Sequence, residues 1–319
     1  NLDGTDLRGA DLTEANLSEA TFEGADLRGS SLAGAISTDV DWFIADLRQT
    51  NLEEADFEDA SLRAADLRDA TLTATNFRNA DLALAYLSNA QLNTANLRRV
   101  DLSAAVLTDA NLSDTNLEDA TLFVTDLRGA NLTNTNLEDT QLTGTDLSNA
   151  TLTNTSLRGA DLEGIALRSL NLQSADLSRQ NLSEIDFTGS DLSNSDLSYS
   201  NLREANLSQT NLSGAALVGS NLQDANLSQT TLTNSLLIRA NLTGANLGQA
   251  NLSGADLSGA DLREANLEDA NLTNTNFRGA DLREAILDRA SLGGIQFSEA
   301  TNLCGAILPD GTVFICDRD

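Results

Sequence analysis

The side chains best suited to chemistry in this sequence are its 48 carboxylates and two thiols, Cys304 and Cys316. Paired carboxylates can serve as general acid and base, and two cysteines can close a disulfide or supply half of a tetrahedral metal site. The partners such chemistry needs are absent. There is no His, and all 19 basic residues are Arg, so the chain has no imidazole base, no Schiff-base lysine and no P-loop lysine. The carboxylates recur at fixed repeat positions, where turn chemistry and solubility account for them, and no nucleophile is paired with a base. No enzyme, cofactor or metal site is expected. The formal charge of −29 disfavours direct contact with nucleic acid or anionic membranes and leaves cationic surfaces as partners.

The element that positions these residues is a repeat. Stepping by five from Leu2 to Phe297 gives 60 positions, and each is Leu except six Phe (Phe22, Phe57, Phe77, Phe187, Phe277 and Phe297), Ser37 and Trp42. The residue two before each is nearly always Ala, Ser or Thr, so a unit reads small, Asp or Asn, Leu, any, any. A helix would rotate successive Leu by 500°, smearing the apolar residues around its circumference. Short extended segments fit instead. The small residue and Leu point inward, their neighbours point outward, and the last two residues turn a corner. Four segments close a square coil of twenty residues. About fifteen stacked coils would make a rod about 70 Å long.

Units such as Ala10-Asp11-Leu12-Thr13-Glu14 and Ala245-Asn246-Leu247-Gly248-Gln249 resemble the A(D/N)LXX units of the pentapeptide-repeat family, over residues 1 to about 306. The resemblance implies an all-β fold, a right-handed quadrilateral β-helix. It implies little about function, because family members range from DNA mimics that bind gyrase to regulators. One domain is expected, with the β-helix over residues 1–300 and a C-terminal cap over 301–319. The phase slips by one at Thr301-Asn302-Leu303, and Ile307 to Ile315 reads as a hairpin around Pro309-Asp310-Gly311. That hairpin register sets Cys304 opposite Cys316. A disulfide is conceivable there, although a reducing cytosol favours two free thiols.

Departures from the repeat carry the functional expectations. At 36–44 a core Leu becomes Ser37 and the next becomes Trp42. Either the core repacks around the indole, or the segment loops out and presents Trp42. Counting in twenties gathers Phe43, Ile44, Leu84, Phe123 and Val124 on one face, with Ala64 and Ala104 between them. This apolar column is the candidate protein-binding patch. A smaller group, Tyr199, Val218, Leu236 and Ile238, forms a secondary patch on another face. Asp6-Leu7-Arg8 recurs at Asp26, Asp46 and Asp66, stacking Asp and Arg into a neutralised, solvated wall. Thr133, Asn134, Thr153, Asn154, Thr233, Asn234, Thr273 and Asn274 form a strip nearly free of charge. Inside, Ile165, Leu170, Ile185, Ile295 and Gln180 replace small inward residues, which points to local repacking.

These features favour a non-catalytic scaffold or regulatory protein that binds another protein of unspecified identity. The alternative is a DNA mimic acting on a topoisomerase such as gyrase. The net charge amounts to one negative per about 2.5 Å, against about 1.7 Å in the duplex. The interleaved Arg residues, however, leave no continuous phosphate-like track. A third class, sugar binding through the Thr/Asn strip, ranks below both. No run approaches the length of a membrane span, and no signal peptide is visible. A cytoplasmic location is favoured, with a targeting segment upstream of Asn1 left open. No cap precedes Asn1, so a homodimer through that first coil or through the apolar patch is a further expectation.

Overall fold

The computed structural model describes residues 1–162 and 165–316. It divides into two compact units, Asn1–Ile165 and Ala166–Asp319. The division falls where Ile165 and Leu170 occupy inward positions that mostly take Ala, Ser or Thr elsewhere. In the first unit parallel bridges join the residue before each inward Leu to its equivalent twenty ahead, from Asp6↔Asp26 to Gln141↔Asp161. The second unit repeats this from Asn171↔Asp191 onward, and the offset then becomes twenty-one at Asp281↔Asn302 and Ile286↔Ile307. That change is the phase slip readable at Thr301.

The backbone bonds explain the composition of the unit. Consider the segment Ala25-Asp26-Leu27-Arg28-Gly29. Asp26 N–H donates back to Thr5 O (2.9 Å), Leu27 N–H donates forward to Asp46 O (2.8 Å), and Gly29 N–H donates to Arg48 O (3.0 Å). Ser30 N–H then closes a four-residue turn on Leu27 O (3.0 Å). Only the residue after Leu lacks a backbone acceptor. Its N–H is taken by the Asp or Asn side chain two residues earlier, as in Thr133 N–H to Asn131 Oδ1 (3.1 Å) and Ser178 N–H to Asp176 Oδ1 (2.9 Å). Asp and Asn are therefore present, despite poor strand propensity, because they complete the hydrogen-bond accounting of the coil. Pairing is by single bridges because a turn interrupts every few residues.

The interior is a set of stacked Leu columns, almost all fully buried. Buried hydroxyls at the small position bond the Leu carbonyl, as in Thr50 Oγ1 to Leu47 O (2.6 Å) and Thr125 Oγ1 to Leu102 O (2.8 Å). Residues 36–44 stay within the coil, which corrects the outward-loop reading of Trp42. Its indole is fully buried, stacked on Phe22 with centroids 4.0 Å apart, and lies 5.7 Å from Phe57. Ser37 makes this possible twice over. It leaves the volume of a missing Leu, and its Oγ accepts the indole N–H at 2.8 Å.

At the C-terminal end Ile307 and Val313 form an antiparallel bridge. Leu308 N–H to Thr312 O (2.7 Å) and Phe314 N–H to Ala306 O (2.8 Å) extend the hairpin. Residues 317–319 of the expected cap lie outside the described residues. Cys304 and Cys316 are joined as a disulfide, with Cα atoms 5.3 Å apart, where two free thiols were favoured. The hairpin register brings them within bonding reach, as the pairing of Cys304 opposite Cys316 implies.

Three substitutions test this account in urea denaturation. Leu122→Ala should destabilise by about 2–5 kcal/mol, because the column above and below cannot collapse into the gap. Asn131→Leu orphans the Thr133 N–H and should lose about 1–3 kcal/mol, while Asn131→Asp, which keeps the acceptor, should lose clearly less.

Candidate functional site

Among the described residues, the corners up to Gly294 place their second turn residue in the left-handed region, the signature of a type II turn. Gly and Asn adopt this backbone easily, whereas β-branched side chains do so at a cost of roughly 1–2 kcal/mol each. In the first unit, three corner columns hold mixtures that include Asp, Glu, Asn, Gln and Gly. The fourth reads Gly4, Gly24, Ile44, Ala64, Leu84, Ala104, Val124, Gly144 and contains no polar residue. Ile44 has φ 53°, Leu84 64° and Val124 57°. The hydrogen bonds stack these corners directly: Gly24 N–H donates to Phe43 O, Ile44 N–H to Arg63 O and Ala104 N–H to Phe123 O.

This column remains exposed. Ile44 is 50 %, Phe123 52 % and Val124 51 % exposed, with Leu84 and Phe43 also open to solvent. Ile44 leans to within 3.9 Å of where a Cβ on Gly24 would stand, and Val124 to within 3.3 Å of that point on Gly144. The ridge therefore alternates large and small residues at successive coils. Tyr86, also exposed, widens it around the next corner together with the half-buried Val106. Sequence reasoning passed over this pair. The available signal was the break it makes in the column Asp6, Asp26, Asp46, Asp66, where Asp returns at Asp126.

That Asp column is a ladder of charge-assisted bonds. Arg8 donates to both oxygens of Asp6, at 2.8 and 2.6 Å, and its Nε stands 3.6 Å from Asp26. Arg28, Arg48 and Arg68 repeat the arrangement with Asp26, Asp46 and Asp66. The Arg8 guanidinium and backbone N–H hold the Asp6 carboxyl down at about 2. Asp26 and Asp46 are lowered by the same kind of side-chain bond, from Arg28 and Arg48. In the Thr/Asn strip, Asn154 Nδ2 donates to Asn134 Oδ1 at 2.9 Å, and Thr273 Oγ1 donates to Asn271 Oδ1, outside the strip, at 2.7 Å.

In the second unit Tyr199 is the most exposed of the secondary group, Leu236 is exposed, and Val218 and Ile238 are half-buried. The tyrosine ring lies over Gly219, where a Cβ would fall 2.9 Å from it, and the Arg179 guanidinium sits 5.4 Å from its centroid. Among the described residues no group of three or more His, Cys, Asp and Glu is arranged to hold a metal, and no helix is long and apolar enough to cross a membrane.

Stacked coils of five-residue units define a repeat β-helix whose faces serve as surfaces. Eight segments, 1–36, 45–79, 85–122, 125–164, 171–209, 200–239, 235–274 and 265–308, match the model of pentapeptide repeats. The chain belongs to the pentapeptide-repeat family, whose fold is the right-handed β-helix. No curated protein matches it in sequence. Among solved structures, it is similar to the pentapeptide repeat protein Rfr23 from the cyanobacterium Cyanothece 51142. The two share 41 % identity over 29 % of this chain and 63 % of that one, with a TM-score of 0.29. HetL from Nostoc sp. strain PCC 7120, involved in heterocyst differentiation regulation, shares 29 % identity over 83 % of this chain and 92 % of its own, with a TM-score of 0.21. QnrB1, a plasmid-mediated fluoroquinolone resistance protein, shares 22 % over 61 % and 91 %, with a TM-score of 0.38.

Two outcomes follow. Ile44→Asn and Val124→Asn should each raise the urea midpoint, by about 1 kcal/mol of stability, because Asn relieves the left-handed strain. Arg8→Gln should move Asp6 up from about 2 toward the ordinary aspartate range in a carboxyl NMR titration. The folded value of Asp6 lies below its unfolded one, so the contact contributes stability above about pH 4 and loses it as pH falls toward 2.

Proposed function

We propose that the chain is a non-catalytic scaffold that docks another protein on the column formed by Phe43, Ile44, Leu84, Phe123 and Val124. The observation that carries this reading is the combination of exposure with backbone strain. Turn residues at these corners are free to be Gly, Asn or Asp, as they are elsewhere, and those choices are both more soluble and less strained. A run of Ile, Ala, Leu, Ala and Val at five stacked corners forfeits stability and solubility together. A surface that a partner covers recovers the exposed area at about 25 cal/mol per Å². The hairpin over 301–316 acts in this reading as a cap on the last coil, shielding an edge that would otherwise pair with other chains.

Mimicry of the DNA backbone draws no support from the Asp ladder, because each carboxylate of Asp6, Asp26, Asp46 and Asp66 already holds a guanidinium. In the Thr/Asn strip the Asn154 amide is spent on Asn134 and that of Asn134 on Asp114, which leaves a sugar fewer donors there. The test is affinity capture from cells that express the protein, comparing the native chain with Phe43→Ser/Phe123→Ser and with Thr133→Ser/Thr153→Ser. A specific partner should be lost with the first pair and retained with the second. Equal recovery with all three chains would discard the column as the docking face.

A further inference from the structure

We propose that the occupant of the apolar column is a basic amphipathic α-helix, lying along the stacked corners with apolar residues at heptad spacing. This rests on the reading of that column as a docking face and names the chemistry of what docks there.

The first argument is shape. Coils stack about 4.8 Å apart, so Ile44, Leu84 and Val124 stand as knobs about 9.6 Å from one another. Notches lie between them, at Ala64 and Ala104, while Gly24 and Gly144 beyond them are overhung by Ile44 and Val124. A helix carries equivalent side chains every seven residues, about 10.5 Å apart. Apolar residues at i and i+7 therefore fall into the two successive notches, and the misfit of about 1 Å over one heptad is within the reach of a Leu side chain. An extended strand matches less well. Its same-face residues recur about every 6.8 Å and meet knobs as often as notches.

The second argument is charge. Asp41, Asp81 and Asp101 flank the column, and each spends one oxygen on a backbone N–H, to Phe43, Ala83 and Ser103. Asp41 is exposed, and Asp81 and Asp101 are half-buried. Arg63 approaches Asp81 at 3.9 Å, and Asp41 and Asp101 have no ion pair among the described residues. Lys or Arg side chains on the shoulders of a helix, beside its apolar stripe, would reach these carboxylates. A chain of net charge −29 steers such a helix inward before contact and repels an acidic one. The same repulsion disfavours a second copy of this chain as the occupant.

The experiment uses the full chain and a labelled 21-residue peptide with Leu at a and d of three heptads, Lys at e and g and Ala elsewhere. It is read by fluorescence anisotropy at low and moderate salt. Two peptides of identical composition and charge serve as probes: this one and one with the Leu positions scrambled. The receptor variant is Ile44→Asn/Leu84→Asn/Val124→Asn, whose replacements suit the left-handed corners, with folding checked by its urea midpoint. The expected result is binding of the heptad peptide that weakens with salt, falls at least ten-fold for the scrambled peptide and falls at least ten-fold on the variant. Equal binding of both peptides, or binding unaffected by the variant, overturns the proposal. Sedimentation velocity separates this failure from failure of the docking reading. A dimer of the native chain that the variant dissolves, with no peptide bound, overturns the helix and keeps the column as a docking face. A monomer that binds neither peptide, with no partner lost in the capture experiment, overturns both.

Discussion

One backbone N–H governs this architecture. In each five-residue unit, three N–H groups pair with neighbouring coils and a fourth closes the turn, which leaves the residue after Leu without a main-chain acceptor. A buried or half-buried donor without a partner is expensive, so the unit supplies an Asp or Asn two residues earlier. That choice fixes much else. Asp and Asn stack in columns twenty residues apart. Asn can then chain Nδ2 to Oδ1 along the column, as Asn241, Asn221 and Asn201 do, while consecutive Asp repel one another unless a donor from elsewhere intervenes. The Arg residues of the first unit supply that donor at Asp6, Asp26, Asp46 and Asp66.

The same turn dictates a left-handed residue at each corner, and this makes strain a readable quantity. Because most corners hold Gly, Asn, Asp, Gln or Glu, the positions that do not are conspicuous. Ile44 and Val124 are the β-branched aliphatic residues among the left-handed corners, and they share one column with Leu84. An exposed aliphatic residue alone signifies little, since folded proteins expose much apolar surface. Exposure combined with an unfavourable backbone and with alignment over successive coils is a stronger indication of a surface shaped for contact.

Much of this was legible from spacing alone. The period of five, the inward Leu and the count of twenty follow from alternation plus a two-residue turn, and the slip at Thr301 is visible as a shift in phase. What spacing does not resolve is competition between two uses of the same residue. Trp42 was open between core and loop because volume matching argues for one and indole polarity for the other. Only the position of Ser37 Oγ, 2.8 Å from the indole nitrogen, decides it. Tyr86 and Val106 escaped notice for a different reason. They sit at the Asp/Asn position, where a missing carboxylate reads as tolerance, and their neighbourhood with Leu84 and Ala104 emerges only when adjacent columns are laid side by side around a corner.

The division of labour between charge and shape follows from these columns. The 48 carboxylates set a long-range field, but those in the Arg ladder are locally compensated and present little free charge at contact distance. Uncompensated carboxylates such as Asp41 and Asp101 border the apolar ridge. A long-range field without local structure selects partners by sign only, and an apolar ridge without a field selects by area only. On the docking reading proposed above, their coincidence on one edge of the first unit would couple attraction at a distance to discrimination at contact, since a partner drawn in by charge would be retained only if its apolar side chains kept step with the coils.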